Sequence, residues 1–189
     1  EDHVPASLAY LAASAESLAG RTFDIVTAME VVEHVNQPAD FLRCLASLIK
    51  PGGHLFLSTM SRTVFSYFLT IFLAEDMLRV VTPGTHRHSQ YIHPFEMVDF
   101  FRSLGWIPGE RDVLAHRPLL PNGTPIAPLP PRLQYETRGT MYVPGLGQWI
   151  LVPPSAVPKD SSSWLPSCLG GGMRPTELCN YFFWIRRPW

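Results

Sequence analysis

Three side chains that bind metals or transfer protons occur within five residues, in the segment 30–34 (EVVEH). Glu30, Glu33 and His34 are spaced i, i+3 and i+4, so in a helical turn they share one face. Two carboxylates and an imidazole fill half of an octahedral coordination sphere, a donor set that suits Mg²⁺ or Mn²⁺ and tolerates Zn²⁺. The alternative is acid–base chemistry without a metal, with His34 as general base and Glu33 orienting it.

The sequence around this segment predicts a strand, a helix and a second strand. Residues 23–28 (FDIVTA) are β-branched and apolar, which predicts a strand that ends just before the acidic cluster. Apolar residues recur every three or four positions over 38–49, which predicts an amphipathic helix with Asn36 as its cap. Residues 50–53 (KPGG) predict a turn, and 54–59 (HLFLST) the next strand. A strand, helix and strand of this length form a βαβ unit and hence a parallel sheet.

The rest of the chain predicts a single α/β domain over residues 1–189 with two insertions. Its further elements are a short strand at 8–11, helices at 64–81 and 93–104, and strands at 106–113, 141–143, 149–152 and 180–185. The two insertions are a Pro-rich stretch at 117–135 and a Ser/Gly/Pro-rich stretch at 153–175. Such compositions cannot continue a helix or a strand ladder, so we expect long loops there.

The composition of the 189 residues is that of a folded protein, with 46% hydrophobic and 16% charged residues. A net charge of −1 without a basic stripe argues against nucleic acid as a partner. Three cysteines have no zinc spacing, and their odd number indicates reduced thiols in an intracellular compartment. The amino terminus has no signal-peptide pattern, and because it starts with Glu we expect the chain to begin partway through a longer protein.

Several motifs occur in the order found in one enzyme family. They are 23–35 (FDIVTAMEVVEHV), 50–59 (KPGGHLFLST), 83–86 (PGTH), 141–142 (MY) and 180–181 (NY). With these motifs the chain resembles the ubiquinone-biosynthesis O-methyltransferases of the mitochondrial, eukaryotic type, a family of class I S-adenosylmethionine-dependent methyltransferases. The resemblance implies a partial Rossmann-like sheet, mostly parallel, with a C-terminal antiparallel hairpin.

The resemblance also implies a reaction and a location. The reaction is methyl transfer from S-adenosylmethionine to a phenolic hydroxyl of polyprenylated dihydroxybenzoate or catechol-type intermediates in ubiquinone biosynthesis, assisted by Mg²⁺ or another divalent cation. The location is the matrix side of the mitochondrial inner membrane, as a peripheral protein within a multi-protein quinone-biosynthesis complex. The apolar segment 64–80 is then a lid over the active site or an interfacial helix that contacts the membrane and collects the polyprenyl substrate, and the two roles are compatible.

Six site residues follow from the resemblance. They are Glu30, Glu33 and His34 as magnesium ligands, with His34 and Glu33 also as the catalytic pair, and Met29, Ser14 and Ala15 beside the cofactor.

One departure from the family pattern is the absence, before Phe23, of a first strand with a Gly-rich turn. Such a turn lets the backbone approach the cofactor closely, so we expect the first strands of the fold to be missing and this chain alone to bind the cofactor poorly. Two alternatives therefore stay open. The chain is a non-catalytic scaffold fragment of a biosynthetic complex, or it methylates another small molecule.

Overall fold

The computed structural model describes residues 8–68, 70–71, 82, 84, 87–108, 134–143, 148–152 and 177–189. Its strands are β1 (Phe23–Met29), β2 (Ile49–Met60), β3 (Tyr135–Val143), β4 (Gln148–Leu151) and β5 (Asn180–Arg186). Its α-helices are α1 (Pro38–Ser47), α2 (Val64–Tyr67) and α3 (Pro94–Ser103). Short 3₁₀ turns lie at Ala15–Leu18, Val32–His34 and His88–Gln90.

The strands form one sheet in the order β1-β2-β5-β3-β4. β1 and β2 are parallel, whereas the pairs β2–β5, β5–β3 and β3–β4 are antiparallel. The α/β class and the antiparallel C-terminal hairpin are confirmed, but the described sheet contains more antiparallel pairing than expected. The reason is that β5 lies between β2 and β3, which run in the same direction and would otherwise be parallel neighbours.

The 50–53 segment is an irregularity inside β2 rather than a turn between a helix and a strand. α1 ends at Ser47 and β2 begins at Ile49, two residues after the helix. Phe23 pairs with Ile49 and Ile25 with His54, so the β2 side of the ladder carries extra residues that loop out. Gly52 takes a φ of 76°, a left-handed conformation that favours glycine, so the expected turn chemistry is present in a different structural context.

Helices α1 and α3 cover one face of the sheet and build the core. The buried core residues from helices and strands are Ala28, Leu42, Leu45, Ala46, Ile49, Leu55, Leu57, Met97, Phe101, Tyr181, Phe183 and Ile185. On the other face, an open cavity of about 560 Å³ is lined by residues that include Ile25, Phe56, Leu151, Phe182 and Trp184. The core therefore fixes the carboxyl ends of β1 and β2 relative to each other from one side of the sheet.

Several boundaries differ from the sequence-based expectations. The strand predicted at 8–11 is wrong, because this segment is irregular and leaves Leu8 77% exposed with no sheet to pack against. Asn36 does not cap α1; the cap position is Gln37, without a side-chain hydrogen bond. Residues 106–108 at the start of the predicted strand 106–113 are not in a strand.

Helix α3 is confirmed within one residue at each end, and its first turn accounts for that. Pro94 occupies the first helical position, and the Glu96 carboxylate accepts the His93 backbone N–H at 2.8 Å. Helix α2 starts at Val64 as expected, with a Thr63–Ser66 capping box. Its predicted continuation at 69 and 72–81 lies outside the described residues.

Other predictions also fall on residues that the structure does not describe. These are most of the 117–135 insertion, the 153–175 insertion, residues 109–113 and His86 of the PGTH motif. Among the described helices, none has both the length and the apolar character needed to span a bilayer.

Candidate active site

Glu30 directly follows the last residue of β1 and itself adopts a left-handed backbone conformation. Its φ is 52°, and it is the one non-glycine residue with a positive φ among the described residues. Such a conformation costs about 1–2 kcal/mol for a residue with a Cβ. The Glu30 backbone N–H offsets this cost because it donates to both the carbonyl oxygen (3.1 Å) and the Oγ (3.0 Å) of Ser58 on β2. Neighbouring strand ends therefore set the position of Glu30.

The three predicted ligands do not share one face. After Glu30 the chain forms a 3₁₀ turn at Val32–His34 instead of an α-helical turn. Successive residues of a 3₁₀ turn are about 120° apart, because it has three residues per turn. Glu33 is 2% exposed, whereas His34 is exposed. The predicted one-face arrangement is therefore wrong, and Glu33 points inward while His34 lies at the surface.

Glu33 is a buried carboxyl with one bonded and one unbonded oxygen. Oε2 accepts a hydrogen bond of 2.8 Å from Oγ1 of Thr59 on β2, whereas within the described residues no donor reaches Oε1, and the Glu30 side chain is close enough to share a proton with this carboxyl. Burial, and then the charge of Glu30, raise the pKa of Glu33 from 4.5 to about 7. A carboxyl with such a pKa exchanges a proton near neutral pH, which is what a general base requires.

The amino-terminal end of β5 completes the surroundings of Glu30. Asn180 Nδ2 donates to Glu30 Oε2 at 3.5 Å, and Cys179 Sγ donates to Asn180 Oδ1 at 3.0 Å. Burial, and then the charge of Glu30, raise the pKa of the Cys179 thiol to about 11. The thiol is therefore a hydrogen-bond donor at physiological pH rather than a nucleophile.

The segment that precedes β5 is fastened to the end of β2. The Ser61 backbone N–H donates to the Cys179 carbonyl at 2.6 Å, and the Thr63 hydroxyl donates to the Leu178 carbonyl at 2.6 Å. Glu177 is buried, and its Oε1 accepts a hydrogen bond of 2.7 Å from the Thr137 hydroxyl of β3. These bonds keep β5 in the register that brings Asn180 to Glu30.

The predicted cofactor residues occupy two places. Met29 is the last residue of β1, pairs with Ser58 and is 40% exposed beside Glu30. Ser14 and Ala15 lie at the start of a 3₁₀ turn, where Ala15 packs against the core. The Ser14 carbonyl accepts the Ser17 hydroxyl at 2.7 Å, a bond within the same turn. Whether these residues bind a cofactor stays a prediction.

The carboxylates of Glu30 and Glu33 are better placed to bind one divalent cation than the complete predicted set, which also includes His34. In the described part of the chain, no three side chains of His, Cys, Asp or Glu are arranged to hold a metal. Glu30 and Glu33 nevertheless lie close enough to interact electrostatically, and the Oε1 atom of Glu33 is a buried acceptor without a donor. Two of the three predicted ligands therefore converge, and the imidazole of His34 does not join them.

Sequence reasoning missed the residues that hold the backbone of Glu30 and the two carboxylates. They are Ser58 and Thr59 at the end of β2, and Asn180 at the start of β5. A signal was available, because parallel strands end at the same edge of a sheet and polar residues there face the same crevice. Ser58 and Thr59 end the apolar run of the second strand, which places them beside the acidic cluster that follows the first.

Comparison with known proteins agrees with this topology. A family model described as a methyltransferase domain matches residues 3–107. A mitochondrial ubiquinone biosynthesis O-methyltransferase of Schizosaccharomyces pombe is 47% identical over 98 residues, which cover 52% of this chain and 36% of that protein.

Bacterial proteins named ubiquinone biosynthesis O-methyltransferase match the same chain. The protein from Ralstonia nicotianae is 42% identical over 109 residues, 56% of this chain and 46% of its own length. The protein from Vibrio parahaemolyticus is 48% identical over 77 residues, 41% of this chain and 33% of its own length. The alignments with these relatives thus span less than half of their length.

The raised pKa of Glu33 predicts a pH-dependent stability. Folding raises the pKa of this carboxyl, so the folded state binds the proton more tightly than the unfolded state does. The stability that this proton contributes is fully present below pH 4.5 and is lost as the pH rises to about 7. In metal-free buffer, we expect the ionisation of Glu33 to lower the free energy of unfolding by at most about 3 kcal/mol across this pH window. Denaturant unfolding of the protein and of Glu33→Gln at several pH values measures it.

The control for this titration is Asp40→Asn, which removes an exposed carboxylate of α1. The difference between the protein and Glu33→Gln should grow from pH 5 to pH 8, and the difference for Asp40→Asn should change much less. If the stability curves of the protein and Glu33→Gln stay parallel over this range, Glu33 has an ordinary pKa.

Proposed function

The chain belongs to the methyltransferase domain family, and on that premise we propose that it forms part of an S-adenosylmethionine-dependent O-methyltransferase of ubiquinone biosynthesis. Its substrate is a phenolic hydroxyl of a polyprenylated dihydroxybenzoate or related catechol. The observation that carries the proposal is the carboxyl pair of Glu30 and Glu33 at the carboxyl ends of parallel strands, where such folds bind ligands. The names of the relatives supply the substrate class.

In the proposed reaction, the phenol O–H proton passes to the Glu33 carboxylate as the oxygen becomes a phenolate. S-adenosylmethionine, when bound, would supply the methyl group: the O–C bond would form as the donor's S–C bond breaks, which would give uncharged sulfur in S-adenosylhomocysteine. No covalent intermediate with the protein is required. A carboxyl with a pKa of about 7 is a much better proton acceptor at neutral pH than an ordinary glutamate.

This assignment moves the general base from His34 to Glu33. The sequence-based alternative has Glu33 orienting His34, but the bonded oxygen of Glu33 accepts from Thr59 and no donor within the described residues reaches its other oxygen. His34 is exposed at the rim, a position from which an imidazole can take a proton onward to water. The catalytic role of His34 stays a prediction.

We also propose metal assistance, with Glu30 and Glu33 as the residues that would hold Mg²⁺ or another divalent cation. Carboxylate oxygens are the ligands such cations prefer, and in this form of the site the Glu33 carboxylate would bind the cation instead of taking the phenol proton. The cation supplies one kind of chemistry, which is to lower the pKa of the phenol and orient its oxygens. Glu30 and Glu33 contribute their negative charges to the site whether or not a cation is bound.

The proposed location is the matrix side of the mitochondrial inner membrane, as a peripheral component of a quinone-biosynthesis complex. One relative is named as a mitochondrial protein. At the start of the 64–80 segment, large hydrophobic side chains are exposed, namely Val64, Phe65, Tyr67 and Phe68, each by 45–53%. A polyprenyl substrate resides in the bilayer, so an apolar surface near the site supports contact with lipid.

The reaction itself is tested with the intact protein, labelled S-adenosylmethionine and a dihydroxybenzoate that carries a short prenyl chain. We expect methyl transfer to oxygen, and a loss of kcat of about a hundredfold or more in Glu33→Gln, because the proton acceptor is removed. Asp40→Asn, with an exposed carboxylate removed, should retain activity.

Two outcomes contradict the proposal in different ways. Cofactor binding without transfer to any catechol favours methylation of another small molecule. Failure of the intact protein to bind S-adenosylmethionine in calorimetry favours the non-catalytic scaffold.

Metal assistance predicts a loss of activity on exhaustive chelation and its recovery on addition of Mg²⁺. Glu30→Gln should raise the Mg²⁺ concentration for half-maximal activity at least about tenfold, because one of two carboxylate ligands is lost. Activity that survives chelation unchanged excludes metal assistance and leaves acid–base catalysis without a metal as the mechanism.

The membrane contact predicts that Phe65→Asp and Phe68→Asp together weaken binding to cardiolipin-containing liposomes by more than about tenfold, because each phenylalanine buries apolar surface in the interface. Co-sedimentation measures the change. The matched control is Phe95→Asp, which changes an exposed phenylalanine of α3. Equal binding of the double variant and the protein would exclude this segment as the contact.

A further inference from the structure

The two carboxyls are not held in the same way, and this difference carries a further inference. Glu33 has one oxygen bonded to Thr59 and one that no donor in the described part of the chain reaches. Glu30 has one oxygen at hydrogen-bond distance from the Asn180 amide. Neither Thr59 nor Asn180 belongs to the acidic segment, and they come from two different strands.

We propose that Thr59 and Asn180 are positioning residues that fix the orientation of the carboxyl pair for the reaction. Thr59 occupies Oε2 of Glu33, and Asn180 restrains Glu30 beside it. This inference rests on the proposed function, because it assigns a role within the same site. Each residue acts through a carboxyl and not on the substrate.

Thr59 is suited to this role because its hydroxyl cannot move far. The residue is fully buried, lies within β2 and pairs with Tyr181 of β5 across the antiparallel ladder. A threonine side chain has restricted χ1 freedom, so its Oγ1 has a defined direction. At 2.8 Å from Oε2, this donor fixes the rotation of the Glu33 carboxyl about its last bond. Oε1 is thereby directed away from Thr59.

Asn180 is oriented by its own neighbour. An amide can present either its oxygen or its NH₂ group, and only the NH₂ group can donate to a carboxylate. The Cys179 thiol donates to Oδ1 at 3.0 Å, which assigns Nδ2 to the side of Glu30. The backbone of Asn180 is held between β2 and β3, where it pairs with Met60 and Thr140. Asn180 is 8% exposed, so water competes little with Glu30 for hydrogen bonds to its amide.

A series of near-isosteric variants in the intact protein tests the assignment. Thr59→Val removes the donor and keeps the shape, whereas Thr59→Ser keeps the donor. We expect Thr59→Val to lower kcat by about ten- to a hundredfold with an unchanged KM for S-adenosylmethionine, and Thr59→Ser to restore most of it. Asn180→Asp places a like charge next to Glu30 and should lower kcat similarly. Thr27→Val, which changes an exposed strand threonine of β1 that pairs with Phe56, is the control.

A second readout separates this inference from the proposed function. Carboxyl ¹³C shifts of labelled glutamate, recorded at one fixed pH, report on the hydrogen bond to the Glu33 carboxyl without any turnover. Thr59→Val removes the 2.8 Å bond and should change the Glu33 carboxyl shift, whereas Thr59→Ser should not.

The outcomes are distinct. Changed carboxyl shifts in Thr59→Val of a protein without methyl transfer leave the positioning role intact and overturn the proposed function. An active enzyme in which Thr59→Val and Asn180→Asp change neither kcat nor the carboxyl shifts overturns the positioning role. A variant that fails to fold is recognised by circular dichroism, and the conclusion then rests on the serine variant and on Asn180→Asp.

Discussion

The last rung of the parallel ladder, where Met29 of β1 pairs with Ser58 of β2, is the contact on which the site depends. Directly after it, the Glu30 N–H is held by two oxygen atoms of Ser58, and the chain turns back through a left-handed residue. That turn returns Glu33 to the neighbouring Thr59. A register shift of one residue would exchange the faces of Ser58 and Thr59 and separate both from the carboxyls.

The raised pKa of Glu33 means that its ionisation at neutral pH opposes folding, a cost that agrees with the catalytic role proposed for it. Burial removes the hydration of this carboxyl, and within the described residues no donor reaches its Oε1 atom. A core that needed only a polar contact for Thr59 could use a smaller, neutral side chain. Local violations of this kind occur at functional sites, where the surrounding structure supplies the compensating stability. Here the compensation is the packed face of the sheet under α1 and α3.

Elements with strong local signals were predictable from the sequence, and their junctions were not. Helix α3 follows from its periodicity and from the proline of its first turn, and β1 from its β-branched run. Residues 50–53 carry the residue types of a turn, but a turn and a strand irregularity use the same types. The choice between them depends on tertiary contacts such as the Gly52 N–H to the Arg187 carbonyl at the far end of the chain.

For a similar reason, the sequence alone could not predict which side chains of the acidic segment 30–34 are buried and which are exposed. The i, i+3, i+4 spacing of Glu30, Glu33 and His34 implies one face only if the backbone is helical throughout. A positive φ at a non-glycine residue has no sequence signal, because it depends on the two oxygens of Ser58 that hold it. One such residue suffices to bury Glu33 and expose His34, so the residue types were predictable and their geometry was not.

The strand that completes the site lies far beyond the part of the chain that family similarity covers. The methyltransferase domain match ends at residue 107, whereas Asn180 begins β5 after two long, compositionally unusual segments. The antiparallel return of β5 between β2 and β3 then brings Asn180 to Glu30 in space. The acidic motif and its amide partner therefore form one physical unit, although they are distant in sequence.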